Sequence, residues 1–222
     1  MTIPVTLPPA YFDAMYQAAA DPWGFEDRWY EQRKYAVSLA LFPAARYRSA
    51  FEPGCSIGVL TRMLAGRCDA LLSCDVAAAA VRTAARRTAD LPHVRVEQRE
   101  LPRGWPAGRF DLIVFSEFLY YFGDHDLERV LKKAVAALEP EGTLLAVHWR
   151  HLVADYPRSG DDVHQVLADH PGLGRLVQGR RLAHPADPGG HGHATRPGPA
   201  GRTHRPGGTA GGPSRGSPYS RR

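Results

Sequence analysis

The residues best able to do chemistry lie in two turns that each follow an apolar run. The first turn spans residues 52–58 and reads EPGCSIG. In it, Gly54 lets the backbone turn sharply, and Gly58 lets a helix and a ligand approach each other closely. The second turn begins at Asp75, about 20 residues beyond the glycines, where an acidic side chain can hold both ribose hydroxyls of a nucleoside. The pattern predicts a nucleoside site, and Asp75 can at the same time cap the helix that opens at Ala77.

These turns leave other interpretations open. Gly54, Ser56 and Gly58 also have the order of a nucleophile elbow, in which Ser56 would be a hydrolase serine. An elbow follows a later strand, however, and no Asp and His follow in the order that a hydrolase needs. Glu100 comes after the third apolar run and can either accept from an adenine amino group or be a solvated loop carboxylate. Nucleoside binding is shared by nicotinamide dehydrogenases and S-adenosylmethionine (SAM) methyltransferases.

The elements that position these turns alternate between strand-like and helix-like patterns. Two helical stretches between about residues 9 and 42 come first, separated by a turn at residues 21–24. The alternation that follows indicates βαβ crossovers and an α/β fold with a doubly wound, mostly parallel, Rossmann-like sheet. Residues 173–177 are interpreted as the start of a sixth strand. Strands are predicted at 50–54, 70–74, 94–97, 110–115 and 143–148, and helices at 58–65, 77–89, 124–138 and 160–169.

The net charge of +5 is unevenly distributed along the chain. Residues 178–222 contain eight Arg, one Asp, 11 Gly and 7 Pro, which gives this tail +7 and leaves −2 for the rest. The tail contains no Val, Ile, Phe, Met or Trp, so it cannot bury enough apolar surface to fold and is predicted to be disordered. We interpret it as an out-of-frame translation, with a genuine basic arm as the alternative. The predicted domains are a helical lid at 1–45, a core at 46–177 and the tail at 178–222.

Cysteine usage and hydropathy indicate where such a protein works. Cys55, Cys68 and Cys74 are odd in number and lack Cys-x-x-Cys spacing, which is typical of a reduced cytosolic protein. No run of 18 apolar residues and no signal-peptide pattern is present, so no membrane partner and a cytoplasmic location are predicted. The tail histidines have no spacing typical of a metal site, so no metal is expected.

Further stretches of the chain carry a family resemblance. Glu52 lies two residues before Gly54, residues 110–121 read FDLIVFSEFLYY, and residues 138–143 read LEPEGT. Together these resemble the class I SAM-dependent methyltransferases, from about Tyr11 to Val177. Four stretches are similar to the NodS-type (nodulation protein S) N-methyltransferases, which methylate the free amine of a deacetylated chitooligosaccharide. These stretches are DPWGF at 21–25, WYEQRKY at 29–35, GCSIG at 54–58 and HWRH at 148–151.

The resemblance implies a site for SAM as methyl donor. In it, Asp75 takes the ribose, Glu100 and Leu101 flank the adenine, and Arg33 from the lid pairs bidentately with the SAM carboxylate. Arg33 can instead be a surface charge. The cofactor-binding residues that the resemblance implies are Trp23 (or a packing aromatic), Arg33, Glu52, Gly54, Cys55, Gly58, Asp75, Glu100, Leu101 and Ser116.

Transfer to an amine also requires a group that removes a proton, because only the neutral amine is nucleophilic. Candidates near the ends of the fourth and fifth strands are Glu117, Tyr120, Tyr121, His148 and His151, of which His148, Glu117 and Tyr120 are the predicted catalytic residues. His148 has a suitable ordinary pKa, but it is equally compatible with a hydrogen-bonded structural role. Ser56 and Glu100 depart from the commoner family residues, Gly and Asp, which leaves the individual contacts open.

The predicted function is methyl transfer to a small-molecule or oligosaccharide acceptor, with an amine favoured. The alternatives are O-methylation of a small metabolite, nucleic-acid binding through the Arg/Gly tail, and an inactive frameshifted product. The resemblance implies an antiparallel hairpin beside the fifth strand. Because nothing after Val177 has the pattern of its last strand, we expect this hairpin to be truncated or replaced, which leaves an open sheet edge.

Overall fold

The computed structural model describes residues 5–176. Two N-terminal helices precede alternating strands and helices, and a short 3-10 turn at Leu119–Tyr121 follows the fourth strand. The elements are α1 (Pro9–Ala18), α2 (Trp29–Ala40), β1 (Ala50–Pro53), α3 (Val59–Ala65), β2 (Leu71–Asp75), α4 (Ala78–Arg87), β3 (Val94–Gln98), β4 (Phe110–Ser116), α5 (Asp124–Ala137), β5 (Leu138–Val147) and α6 (Gly160–Ala168).

The five strands form one parallel sheet in the order β3-β2-β1-β4-β5. The strand order reverses at β1, which pairs with β2 on one side and β4 on the other. In open α/β sheets, the crevice at the carboxyl ends of the strands beside such a reversal is where ligands bind. The predicted doubly wound parallel sheet is confirmed, and both chemistry-bearing turns lie at this crevice.

Two apolar clusters cover the two faces of the sheet. Side chains along β4 alternate between them: Leu112 and Val114 belong to the cluster formed with α2 and α3, whereas Ile113 and Phe115 belong to the cluster formed with α5 and α6. Strand side chains point to opposite faces in turn, so the nearly continuous apolar run at 110–115 contributes to both cores. This packing fixes where β4 ends, and therefore where the residues that follow it lie.

Two elements differ from the sequence prediction. Strand β5 begins at Leu138 rather than near residue 143, because Leu138 pairs with Phe110 before the register shifts between Phe110 and Leu112. Residues 173–176 form no strand; instead the Leu173 amide donates to the His170 carbonyl in a turn. The predicted sixth strand is therefore wrong over these residues, while Val177 lies outside the described part of the chain.

Within residues 5–176, no strand pairs with the outer side of β5. The expected truncation or replacement of the hairpin concerns residues after Val177 and stays a prediction. The interpretation of residues 178–222 as an out-of-frame tail falls outside the described residues. Among the helices between residues 5 and 176, none has the length and apolar character needed to cross a membrane.

Candidate active site

An open cleft lies at the carboxyl ends of β1, β2 and β4, with α1 along its side. It contains about 820 Å³ of space, part of it open to solvent, which is within the usual size of a small-molecule site. A smaller cavity of about 300 Å³ lies beside it. Seven predicted site residues line the larger cleft: Trp23, Gly54, Asp75, Glu100, Leu101, Ser116 and Glu117.

The backbone at Gly54 is built for close approach. Its φ of 73° is in the left-handed region, which glycine adopts without strain. A Cβ at this position would lie 2.6 Å from the Phe118 ring. The Gly54 and Cys55 amides donate to the Cys74 carbonyl at 2.7 and 2.9 Å, which ties the turn after β1 to the end of β2. The predicted sharp turn at Gly54 therefore shapes the floor of the cleft.

Asp75 is held at the cleft by backbone amides. One carboxylate oxygen accepts from the Ser56 amide at 2.9 Å and the other from the Ala77 amide at 3.0 Å. The side chain is buried, and burial raises its pKa although the backbone amides oppose this effect. Each carboxylate oxygen has further acceptor capacity, so Asp75 is placed where it can stabilise the start of α4 and also accept from ligand hydroxyls.

Gly58 has a packing role. The sequence analysis assigned it close approach to both a helix and a ligand. It has φ 80°, and a Cβ there would lie 2.8 Å from Ala84 of α4. Gly58 lines neither cavity, so its lack of a side chain lets the start of α3 approach α4. Cys55 is buried and lines the smaller cavity, and burial raises its thiol pKa well above the ordinary value.

Glu52 is a buried carboxylate that lines the smaller cavity. One of its oxygens accepts from the Thr61 hydroxyl at 2.7 Å and from the Ser73 hydroxyl at 2.8 Å. Burial raises the pKa of Glu52 to about 7 despite these hydrogen bonds. The two hydrogen bonds therefore offset only part of the effect of burial on the pKa of Glu52.

Aromatic residues from the N-terminal segment form the side of the larger cleft. Trp23 stacks on Phe25 with ring centroids 5.6 Å apart and meets Tyr16 edge-on at 5.5 Å. The Tyr16 and Ser56 hydroxyls are 2.6 Å apart, so α1 is joined to the turn after β1. Trp23 therefore packs against its neighbours and also lines the cleft, and its role in cofactor binding stays a prediction.

Arg33 and its neighbour Lys34 have opposite environments. Arg33 is exposed and lines neither cavity, so the structure does not bring it to the site. Lys34 is 1% exposed, and its Nζ lies 2.5 Å from Glu31 and 2.8 Å from Glu117. The cation of α2 that contacts the site residue Glu117 is therefore Lys34 and not the predicted Arg33, because Lys34 is on the inward side of α2.

Glu117 borders both cavities and is held from three directions. It accepts from Lys34 Nζ at 2.8 Å, from the Tyr120 hydroxyl at 2.6 Å and from the Trp149 amide at 2.8 Å. Its φ of 53° is in the left-handed region, a strained conformation typical of functional sites. Burial, the largest single effect, opposes ionisation, but the Lys34 charge and the hydrogen bonds from Lys34 and Tyr120 together outweigh it, so the pKa of Glu117 is lowered.

His148 and Tyr120 have contacts that do not suit a base. His148 Nε2 accepts from the Leu119 amide at 3.1 Å, and its Nδ1 lies 3.3 Å from His164 Nε2. Burial lowers the pKa of His148 to about 3, and burial raises that of Tyr120 well above its ordinary value. Neither residue lines a cavity. For His148 the geometry favours the structural alternative, and Tyr120 acts as a donor to Glu117.

Sequence reasoning missed Glu31 and Lys34. The two are three residues apart on α2, a spacing that places their side chains together on a helix. That signal is in the sequence, but it is equally typical of an exposed helix pair. Only the packing of α2 on the core shows that this pair is buried.

Comparisons with known proteins agree with this geometry. The profile of the family described as Nodulation protein S (NodS) matches residues 14–158. Nodulation protein S of Bradyrhizobium diazoefficiens is 33% identical over 130 residues, which is 58% of this chain and 62% of that protein. The chain therefore spans less than two thirds of the length of this curated relative.

Two solved structures are also similar. A putative methyltransferase from Pseudomonas syringae is 49% identical, with 69% of this chain and 94% of that chain covered and a TM-score of 0.62. The N-methyltransferase NodS from Bradyrhizobium japonicum WM9, in complex with S-adenosyl-L-homocysteine, is 30% identical, with 60% and 71% covered and a TM-score of 0.55. The predicted class I methyltransferase fold is confirmed, and because the NodS profile matches more than half of the chain, the protein belongs to the nodulation protein S family.

Proposed function

We propose that the protein is a SAM-dependent N-methyltransferase that acts on an amine of a small molecule or oligosaccharide. The observation that carries the proposal is that Asp75, the Gly54 turn and Glu117 all border one cleft. Asp75 offers a carboxylate suited to ribose hydroxyls, and Gly54 offers a backbone without a side chain. The Glu117 carboxylate lies at the same cleft as Asp75 and Gly54. The family relationship supports this assignment.

SAM supplies an electrophilic methyl group on a sulfonium with a neutral thioether as leaving group. The residues of the chain bind, orient and exclude water. Asp75 and the apolar Leu101 suit the adenosine, while Gly54, Cys55 and Glu52 surround the space for the methionine end. Phe25 and Tyr35 close the smaller cavity with aromatic surface.

An amine acceptor is favoured over a hydroxyl by the charge at the cleft. Glu117 is anionic because Lys34 lowers its pKa against the effect of burial, and it borders both cavities. A buried carboxylate at that position attracts a protonated amine and gains nothing comparable from a neutral hydroxyl. Its pKa is too low for it to remove a proton from an alcohol.

The acceptor class that fits the family is a deacetylated chitooligosaccharide or a related amino sugar. Aromatic surface for a sugar is available near Glu117, since Tyr121 lines the cleft and Trp149 is half-buried with its ring against Tyr30. Tyr120 is fully packed against Tyr156 and His148 and does not offer such a surface.

A labelled-methyl assay on matched acceptors tests this function. The protein is incubated with SAM and either chitotetraose with one free amine or its fully acetylated counterpart, and products are identified by mass spectrometry. We expect one methyl group on the amine-bearing acceptor alone. Methylation of both acceptors would favour O-methylation, and methylation of neither, with S-adenosyl-L-homocysteine still bound, would overturn the proposed acceptor class.

A further inference from the structure

The proposed amine acceptor must lose a proton, and none of the three expected bases is suited to keep it. His148 has both ring nitrogens engaged, and burial lowers its pKa to about 3. The Tyr120 hydroxyl keeps its proton and donates a hydrogen bond to Glu117. Glu117 alone borders the cleft, but it already accepts from three donors. A proton received by Glu117 therefore needs somewhere else to go.

A buried path leads away from Glu117 through Lys34 to Glu31. Lys34 Nζ is 2.8 Å from a Glu117 oxygen and 2.5 Å from a Glu31 oxygen. The side chains of Glu31, Lys34 and Glu117 are all nearly inaccessible to solvent. Lys34 and Glu31 belong to α2, whereas Glu117 follows β4, so the path connects the cleft to the interior of the lid.

The charge of this group suits the uptake of one proton. Two carboxylates and one ammonium carry a net charge of −1, and a buried net charge is costly. One added proton makes the group neutral. Burial raises the pKa of Glu31, whereas at Glu117 the Lys34 charge and the hydrogen bonds from Lys34 and Tyr120 together outweigh burial and lower the pKa. The added proton is therefore more stable on Glu31 than on the carboxylate that borders the cleft.

The surroundings of Lys34 keep the path dry. Its Nζ lies 5.6 Å from the centre of the Phe25 ring, 5.7 Å from that of Tyr30 and 5.3 Å from that of Tyr35. Aromatic faces stabilise a cation and exclude water. The other titratable or charged groups that act on the group or its aromatic walls include Tyr30, Tyr35, Tyr120, Tyr121, Tyr156, His148, His164, Glu52 and Arg33.

We propose that Glu117, Lys34 and Glu31 form a proton relay for the acceptor amine, an inference that rests on the proposed N-methylation. The acceptor ammonium gives a proton to Glu117. Lys34 passes one of its own protons to Glu31 and takes the one on Glu117. The acceptor nitrogen regains its lone pair, Lys34 stays an ammonium, Glu117 returns to a carboxylate and Glu31 becomes a carboxylic acid. Only N–H and O–H bonds change, so no further reactant is needed. After the product leaves, the proton returns from Glu31 through Lys34 to Glu117 and from there to water in the open cleft.

The test replaces Glu31 by its neutral isostere and follows the pH profile. In Glu31→Gln, kcat for the amino sugar is expected to fall by about 100-fold at neutral pH. The loss should shrink as pH rises, because a growing share of acceptor arrives already neutral. KM and the affinity for S-adenosyl-L-homocysteine should change less than about threefold. Gln32→Ala, an exposed neighbour on α2, serves as control and should match wild type throughout.

Three results would overturn the relay. A wild-type pH profile in Glu31→Gln would show that Glu31 takes no proton, and parallel loss of kcat and ligand affinity at every pH would show a structural role. If wild type methylates hydroxyls only, the proposed function fails, and the relay needs a test that does not depend on turnover.

That test is carbon-13 NMR of the Glu31 carboxyl, assigned with Glu31→Gln. Titration above the ordinary glutamate range supports Glu31 as the site that stores the proton, and titration within that range overturns the relay.

Discussion

Asp75 and Glu117 are two buried carboxylates at the ends of strands on either side of β1, and they are held by different means. Asp75 accepts from the backbone amides of Ser56 and Ala77. Glu117 accepts from two side chains, Lys34 and Tyr120, and from one amide. Burial raises the pKa of Asp75, whereas the Lys34 charge lowers that of Glu117 against burial.

The difference separates contacts made by backbone groups of nearby turns from contacts made by side chains that are distant in sequence. The backbone around Asp75 is fixed by the β1 and β2 turns, whose amides are present whatever the side chains are. Glu117 depends on Lys34, 83 positions away in sequence, and therefore on the seating of α2. Changes in α2 should disturb the part of the cleft around Glu117 and spare the part around Asp75.

The largest effect is expected from Lys34→Met. It leaves Glu31 and Glu117 buried without their cation, and removing one partner of a buried ion pair costs about 3–5 kcal/mol. Urea denaturation should show a loss of that size in the free energy of unfolding. Arg46→Met is the matched control, since Arg46 pairs with Asp69 while both side chains are more than half exposed, and its loss should stay below about 1 kcal/mol. Equal losses would contradict the difference between buried and exposed pairs.

Gly54→Ala tests the backbone-held side of the cleft. The left-handed φ and the 2.6 Å approach to Phe118 predict a loss of about 2–3 kcal/mol in unfolding free energy, with weaker S-adenosyl-L-homocysteine binding. Gly66→Ala is the control, because an added Cβ there meets its nearest atom at 3.6 Å. Denaturation and calorimetry measure both variants. A tolerated Gly54→Ala would show that the turn can relax without cost.

Asp75→Asn removes the charge and keeps the shape. Ligand hydroxyls then donate to a neutral amide oxygen, and a hydrogen bond between neutral groups is worth about 0.5–1.5 kcal/mol whereas one to a charged group is worth about 1.5–3 kcal/mol. Calorimetry should show S-adenosyl-L-homocysteine affinity falling by about 10–30-fold. Asp27→Asn, on an exposed residue, should bind as wild type does. Unchanged affinity in Asp75→Asn would restrict Asp75 to capping α4.

Glu52 extends the comparison to a carboxylate held only by hydroxyls. Burial raises its pKa to about 7 from an ordinary 4.5. The unfolded chain therefore releases this proton at lower pH than the folded protein does. The stability that Glu52 contributes is complete below the ordinary pKa and is lost as pH rises to about 7.

Glu52→Gln should remove this loss. Between about pH 5 and pH 8, wild type should lose about 1–2 kcal/mol more unfolding free energy than the variant. His148, whose pKa burial lowers to about 3, contributes the opposite slope on the acidic side, but equally in both proteins. Parallel denaturation curves across this pH range would show that Glu52 ionises normally.

The sheet and the backbone-held half of the site could be predicted from sequence because their signals are local. The glycine turn at Gly54 and the acid at Asp75 lie at the ends of short apolar runs, and the structure places both on the cleft. The predicted start of β5 is wrong because residues 139–142 carry no strand pattern. They lie where the register shifts, between Leu138, which pairs with Phe110, and Thr143, which pairs with Leu112.

The half of the site held by side chains could not be predicted, since it depends on which face of α2 packs inward. Arg33 and Lys34 are adjacent cations, and nothing in their sequence says which one is buried. His148 looked like a base by residue type, yet its hydrogen bonds to Leu119 and its burial fix it as a neutral acceptor. Such roles are set by tertiary contacts.

Calorimetric titration of the purified protein with S-adenosyl-L-homocysteine tests the central claim most directly. Saturable binding of one molecule per chain is predicted, because the cleft already places Asp75 and the Gly54 turn together. Folded protein that gives no binding heat at millimolar ligand would contradict the assignment of this cleft as the adenosyl site, and with it the proposed methyl transfer.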